Sequence, residues 1–302
     1  MTVRYVRPVS HSAYAARRIG LAALVLFLLA ALAHRFGPLR LPDFLALLLL
    51  SAALAAVAVP LALIGLQRLW QKGAEGGIAA AKGLAYSAVP LAVVVTGVLS
   101  YSRLPALYEI TTDLADPPPF LRLSDADQQW LPRPASLTPA DRRSQIEAYP
   151  GLAGRSYEGA LDRVFEGVQA AAASARIAIV LREGTELMEP EALPQEPAPA
   201  EEGDALSGSL DMVPVPLPRP ELSLVGPVFD PSGDVLLQGE TRTLFFGLPF
   251  DVVIRLREDV ETTSVDIRVA SRYGPHDLGI GAAIARDFLS RLDTELLGIA
   301  GG

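Results

Sequence analysis

The chain contains no cysteine in its 302 residues. That absence excludes disulfide scaffolds, thiol nucleophiles, iron–sulfur ligation and thiolate zinc sites. It leaves open which side of a membrane the protein occupies. Histidine is nearly as scarce, with His11, His34 and His276 spread across the chain. One histidine within the polar half and scattered acids supply no metal-ligand spacing, so no metal site and no cofactor is expected. There is no phosphate-cradling glycine loop either, since Gly279-Ile280-Gly281 is too short for a dinucleotide fingerprint.

Acidic residues are almost absent from the first third. Residues 1–103 hold ten Lys/Arg against Asp43 and Glu75, a net charge of +8. Residues 104–302 then hold 16 bases and 32 acids, a net charge of −16. A basic, apolar segment followed by an acidic, polar one reads as a membrane anchor followed by a water-exposed domain. An acidic domain without a basic face is a poor partner for nucleic acid, and none is expected.

Three stretches lack charge: Ile19–Ala33, Phe44–Gln67 and Gly83–Ser102. Crossing the hydrocarbon core takes about 20 apolar residues. The second and third runs meet that length. The first reaches it if its flanking Arg17, Arg18 and Arg35 extend toward the headgroups. The expected transmembrane helices therefore cover about 19–35, 44–67 and 83–102. A second reading takes the first span as a signal peptide cleaved after Ala31-Leu32-Ala33. The spans carry no Asp, Glu, Lys or Arg in their interiors, which argues against an ion or proton pathway. Arg4, Arg7, Arg17 and Arg18 precede the first span, and Arg68, Lys72 and Lys82 separate the second from the third, against Arg35 and Arg40 in the loop between the first two. This bias puts the amino terminus inside and the carboxyl-terminal domain outside. In a bacterium that is the inner membrane with a periplasmic domain.

Residues 104–302 read as α+β, an antiparallel sheet with helices. Thr138-Pro139 opens a helix, with Thr138 as cap and Asp141 in its first turn. A second helix is expected over 156–173, where Tyr157, Leu161, Val164, Phe165 and Val168 share one face, and a strand over 176–181. Residues 183–221 carry eight prolines, ten acids and a single base, Arg219, and read as a flexible insertion. Alternating strands over 251–257 and 264–272 form a hairpin, in a register that puts Arg255 opposite Asp266 or, shifted by two, Asp251 opposite Arg272. The last helix covers 278–297, with Asp277 as its cap, Gly298 closing it, and Ile280, Ile284, Phe288, Leu292 and Leu296 as its buried stripe.

Four strings occur in a set order: Tyr108-Glu109-Ile110-Thr111-Thr112-Asp113 with Asp116-Pro117-Pro118-Pro119-Phe120; Ala148-Tyr149-Pro150; Phe250-Asp251-Val252-Val253-Ile254-Arg255; and VDIRVASRYGPHDLG over Val265–Gly279. Together they resemble the motifs of domain-of-unknown-function family 1499, over most of residues 104–297. The resemblance implies the fold and a membrane context, not an activity. The chain departs from the family pattern at Phe250, where a second aspartate is usual, at Glu109, where aspartate is usual, and at Gly281 and Ile284, where Asn and Arg are common.

Two kinds of function follow. In the first, a non-catalytic envelope protein binds a partner through an anion site built from Arg268, Arg272, His276 and Gly279 at a helix amino terminus. Its partners are the bilayer, a lipid or anionic small molecule, and an envelope protein. The competing assignment of the same charges is a structural ion-pair network that includes Asp113, Asp251, Arg255 and Asp266, in which Arg268 and Arg272 pair with Asp251, Asp266, Asp113 or Asp116. In the second, a membrane-surface hydrolase or transferase uses the Arg268/Arg272/His276 region. Ser271, His276 and Asp277 are the residue types of a nucleophilic triad, but a triad is defined by geometry, and no catalytic set is assigned.

Overall fold

A computed structural model describes residues 8–185 and 233–298. Three long helices come first: α1 (His11–Phe36), α2 (Leu41–Lys72) and α3 (Gly77–Arg103). All three are long and apolar enough to cross a membrane, with mean hydropathies of 2.1, 2.7 and 1.8. Each extends beyond the uncharged run that marked it. Backbone hydrogen bonding continues through Tyr14–Arg18 and through Arg68–Lys72, whose polar ends reach outward from the helix termini.

Small residues set the packing. The buried face of α1 reads Ala13, Ala16, Gly20, Ala23, Phe27 and Ala30, and α2 answers with Ser51, Ala52, Ala55, Ala58, Ala62 and Gly65. Backbones touch as a result. A Cβ on Gly20 would lie 2.7 Å from the Gly83 carbonyl oxygen of α3, and one on Gly65 would lie 2.8 Å from the Ala13 methyl. Lipid tails are as apolar as Leu, so close van der Waals approach, not burial of leucine, holds such helices together. The large side chains accordingly point outward, among them Leu28, Leu29, Leu32, Leu49, Leu50 and Leu63. Ser51 lies in the interface and donates its hydroxyl to the Ala23 carbonyl at 2.8 Å.

The remaining described elements are β1 (Glu109–Thr111), α4 (Pro139–Ala148), β2 (Arg155–Glu158), α5 (Leu161–Ser174), β3 (Ala178–Glu183), β4 (Val235–Arg242), β5 (Pro249–Glu258), β6 (Thr262–Ser271) and α6 (Ile280–Leu297). The sheet is antiparallel in the order β1-β6-β5-β4-β3, with β2 pairing the far end of β6. The hairpin takes the register with Arg255 opposite Asp266; the shifted one is not adopted, and Asp251 faces Ala270. One face of the sheet, with Leu237, Val252, Ile254, Leu256, Ile267 and Val269, packs under α5 and α6 as the main core. The other face carries the charges, yet it is also buried. Val253 and Arg255 are at most 2% exposed. Residues 112–137, which have little regular structure, lie across it, clamped by Gln238, whose side chain bonds both the N–H and the carbonyl of Arg122 at 2.9 and 2.7 Å.

Several boundaries differ from expectation. Thr138 caps α4 as expected, in a capping box with Asp141. The helix expected over 156–173 begins only at Leu161, because Ser156 and Tyr157 belong to β2. Gly159, at φ 145°, separates strand from helix. The strand expected from Arg176 starts at Ala178, since Arg176 itself has a φ of 60°. Of the insertion read over 183–221, Glu183 ends β3 and residues 186–221 lie outside the described residues. On α6 the buried stripe runs through Ala282, Ala285, Phe288, Leu289 and Leu292; Ile280, Ile284 and Leu296 flank it, partly buried.

The close helix approach yields a direct expectation. Gly20→Leu and Gly83→Leu lower stability by about 1–3 kcal/mol or more, as overpacking does. Gly97→Leu, where a Cβ meets nothing within 4 Å, leaves it unchanged or raised. Thermal unfolding of the full-length protein in detergent makes the comparison; equal effects at all three positions would refute the backbone contact.

Candidate functional site

The singled-out residues fall into three groups along β5, β6 and the turn into α6. The first centres on Arg255, in the middle of β5 and 2% exposed. Its guanidinium donates to Asp113 and Asp116 at 2.9 Å each and to Asp266 at 3.2 Å, while Asp234 lies 3.9 Å from Nε. Arg257, beside it, donates to Asp234 at 2.8 Å and to Asp116 at 3.2 Å. Thr112 donates its hydroxyl to Asp266 at 2.9 Å, tying the chain after β1 into the cluster. The Arg257 bond and the Arg255 charge hold the Asp116 carboxyl below the usual carboxylate range. Asp251 is not in this cluster.

The second group follows β6 outward. Arg268 donates to Glu109 and to the Pro118 carbonyl at 2.8 Å each, and stacks over the Phe120 ring at 4.5 Å. Arg272 donates to Asp251 at 2.7 Å and to Glu240 at 2.6 Å. Burial works against the Arg272 charge, and these two carboxylates outweigh it, leaving its pKa raised.

The third group is the turn. The helix begins at Ile280 with Gly279 as its cap position, so Asp277 stands two residues before the cap. Leu278 and Gly279 both take positive φ, 58° and 78°. This left-handed pair folds the Asp277 carboxylate under the first turn, where it accepts the N–H groups of Gly279 and Gly281 at 2.8 Å each. Burial raises the Asp277 carboxyl above its ordinary value, and those two N–H bonds oppose the rise. A Cβ on Gly281 would meet the Asp277 carboxylate at 2.6 Å, so this position is glycine where the carboxylate packs. At Gly279 a Cβ would lie 2.7 Å from Leu104, which holds the turn against the end of α3.

His276 is engaged at both nitrogens. Nδ1 accepts from the Leu278 N–H at 2.8 Å, and Nε2 donates to the Leu104 carbonyl at 3.2 Å. Its ring lies 4.8 Å from that of Tyr101 on α3. Ser271 Oγ bonds the backbone of Tyr273. Ser271, His276 and Asp277 therefore make no hydrogen bond to one another. Arg268, Arg272, His276 and Gly279 each contact a different set of partners within the chain and are not gathered around one space.

A cavity of about 770 Å³ lies elsewhere, between β2, α5 and α6. Three of its polar lining residues are paired with one another: the Tyr157 hydroxyl donates to Asp293 at 2.7 Å, and Arg155 approaches the same carboxylate at 3.5 Å. Burial and the Asp293 charge both raise the Tyr157 pKa.

The contact between the domain and the helices was not anticipated. Phe246, in the β4–β5 loop, meets Phe27 of α1 and Phe44 of α2 and joins their apolar cluster. Arg40 pairs with Asp127. The signal was present as Leu244-Phe245-Phe246, three consecutive large apolar residues between two strands.

Residues 223–292 match the family model described as a protein of unknown function (DUF1499), the family that the motifs resemble. The match takes in the Phe250–Arg255 and Val265–Gly279 strings, and residues 223–232 of it lie outside the described residues. No curated protein and no solved structure matches the chain.

Removing one partner from a buried pair leaves an uncompensated charge, so Arg255→Ala destabilises the domain by about 3–5 kcal/mol. Arg291→Ala, which breaks an exposed pair with Asp287, leaves the Tm unchanged. Asp116 adds a pH dependence. Its lowered pKa contributes stability that is present above the ordinary carboxylate range and lost as pH falls through the lowered value. Asp116→Asn therefore flattens the acid limb of stability against pH; an unaltered limb would remove Asp116 from the cluster's energetics.

Proposed function

We propose that this chain is an integral membrane protein of the bacterial inner membrane whose carboxyl-terminal domain lies on the periplasmic side and has a non-catalytic role, binding a partner or supporting the envelope. The observation that carries the reading is the engagement of the candidate chemical groups within the fold. Arg255, Arg268 and Arg272 are each answered by carboxylates, and His276 has both ring nitrogens bonded to backbone. A general acid or base needs a free position toward substrate. Here the histidine instead ties the α6 turn to the end of α3.

The orientation is supported by where the cations fall on the helix bundle. The α1 amino terminus, the α2 carboxyl terminus and the α3 amino terminus share the end away from the domain, as the Val9–Glu75 bridge and the Gly65–Ala13 contact require. That end carries Arg17, Arg18, Arg68, Lys72 and Lys82; the domain end carries Arg35, Arg40 and Arg103. An excess of Lys/Arg marks the cytoplasmic side.

The absence of cysteine makes the topology easy to test. Val260→Cys, at the tip of the β5–β6 turn, reacts with a membrane-impermeant maleimide in cells whose outer membrane is permeabilised, whereas Lys72→Cys reacts only after lysis; the reverse pattern would overturn the orientation. The non-catalytic reading predicts no turnover of lipid, ester or phosphoester substrates by the full-length protein. Turnover that His276→Ala abolishes while the Tm is retained would overturn it.

A further inference from the structure

The β4–β5 loop is apolar in a domain that is otherwise strongly charged. The ring of Phe246 meets that of Phe27 edge-on at 6.4 Å and that of Phe44 at 5.8 Å. Phe27 lies nine residues before the end of α1, which at 1.5 Å per residue is about 14 Å along the helix. Phe44 lies three residues into α2, so the Phe246 ring reaches past the helix ends while Gly247 stays beside Arg35 at their rim. The neighbouring side chains are turned outward: Leu244 is 58% exposed and Phe245 is 83% exposed. Like the outward leucines of α1 and α2, they are large apolar side chains left uncovered by the protein.

Four arginines, Arg35, Arg40, Arg242 and Arg272, stand around the base of this loop. A cavity of about 200 Å³ between the helix ends and the domain is lined by His34, Arg40, Arg242, Gly247, Arg272 and Tyr273. Arg35 lies across Gly247, where a Cβ would stand 3.1 Å from its Nη1. Arg40 and Arg272 are answered by Asp127, Asp251 and Glu240. Arg35 and Arg242 have no carboxylate partner among the described residues. His34 is 8% exposed; its Nδ1 bonds the Leu39 carbonyl at 2.8 Å, and its Nε2 has no partner among the described residues. The cavity is smaller than the roughly 300–1,000 Å³ typical of small-molecule pockets. Its size suits a single headgroup, and arginine is the side chain whose fork matches phosphate oxygens.

We propose that this junction binds an anionic phospholipid of the surrounding leaflet, with Leu244 and Phe245 among the acyl chains and Arg35 and Arg242 holding the headgroup phosphate. The inference rests on the membrane reading above and deepens it by naming a ligand class and its site. That site is distinct from the turn at Asp277, where an internal carboxylate already occupies the helix amino terminus.

Single cysteines carry the first test, again without background. Nitroxide labels at Leu29→Cys, Phe245→Cys and Val260→Cys are compared in phosphatidylglycerol nanodiscs for collision with oxygen, which partitions into lipid, and with a water-soluble nickel chelate. The expected result is lipid-like exposure at 29 and 245 and water-like exposure at 260. Lipid at 29 with water at 245 overturns this inference and leaves the membrane reading standing; water at 29 overturns the membrane reading itself. Native mass spectrometry of the full-length protein in detergent tests the phosphate contact. Phosphatidylglycerol is expected to be retained over phosphatidylcholine, and Arg35→Ala and Arg242→Ala each weaken it by about fivefold, the effect of one cation near an anionic surface. Arg291→Ala leaves it unchanged. Equal retention of both lipids, insensitivity to the two arginine variants, or full displacement by millimolar inorganic phosphate would each overturn the lipid assignment.

Discussion

A guanidinium buried at the centre of a sheet is the constraint around which the domain is arranged. Arg255 cannot be left unpaired at 2% exposure, because the penalty for an isolated buried charge exceeds the stability of most domains. Its four carboxylates come from three places: Asp113 and Asp116 after β1, Asp234 before β4, and Asp266 opposite on β6. Satisfying one side chain therefore fixes the hairpin register, the approach of the chain before β4, and the course of residues 112–137 across the sheet. Such an ion cluster is weak evidence for net stability, since a well-packed apolar replacement often does as well. What it supplies here is a single way to lay an irregular segment over a polar sheet face.

The same geometry joins the four separated strings. Asp113 and Asp116 stand in the first, Arg255 in the third and Asp266 in the fourth, and they meet in one cluster. Glu109 and Arg268 join the first string to the fourth, and Asp251 and Arg272 join the third to the fourth. Tyr149, from the second, lies against Gly279 and under Arg286. A pattern of polar residues that suggests a site in sequence is, in three dimensions, largely a pattern of mutual neutralisation. The departures at Glu109 and Phe250 fit this picture. Glu109 still reaches Arg268, and Phe250 is 2% exposed within the core.

How much of this was legible depended on periodicity. The hairpin alternates over seven residues in one strand and nine in the other, and both registers read from it bring unlike charges together on one face. The cap at Thr138 and the glycine closing α6 are local signals, and they are where the sequence places them. β2 was hidden because Tyr157 extends the apolar stripe of α5 by one helical step, and a four-residue strand has no period of its own to oppose that reading. β1 and β4 are short or interrupted: β4 carries Gly239, which packs against the Ala178 carbonyl where β3 bulges. The burial of the charged sheet face was illegible for a different reason. Its cover has neither helical nor strand period, and its anchors, Gln238 to Arg122 and Arg268 to Pro118, act between residues more than 100 positions apart.

The junction with the helices resolves a conflict that composition alone creates. Residues 104–302 carry a net charge of −16, and the surface of an anionic leaflet repels such a domain at close range. Salt screens that repulsion beyond about 8–10 Å in water, but not across the desolvated contact itself. There the excess of acid is offset. Arg35, Arg40, Arg242 and Arg272 gather where the helix ends meet the sheet, beside Asp43, Asp127, Asp251 and Glu240, and the last three of these acids are paired with Arg40 and Arg272. Phe246 then fixes the distance by entering the apolar cluster of Phe27 and Phe44, and His276 fixes the rotation by binding Leu104 beside Tyr101. An acidic domain can be held against a membrane only if its contact face is not acidic, and the arginines that offset the acids of this face are set around the loop that makes it apolar.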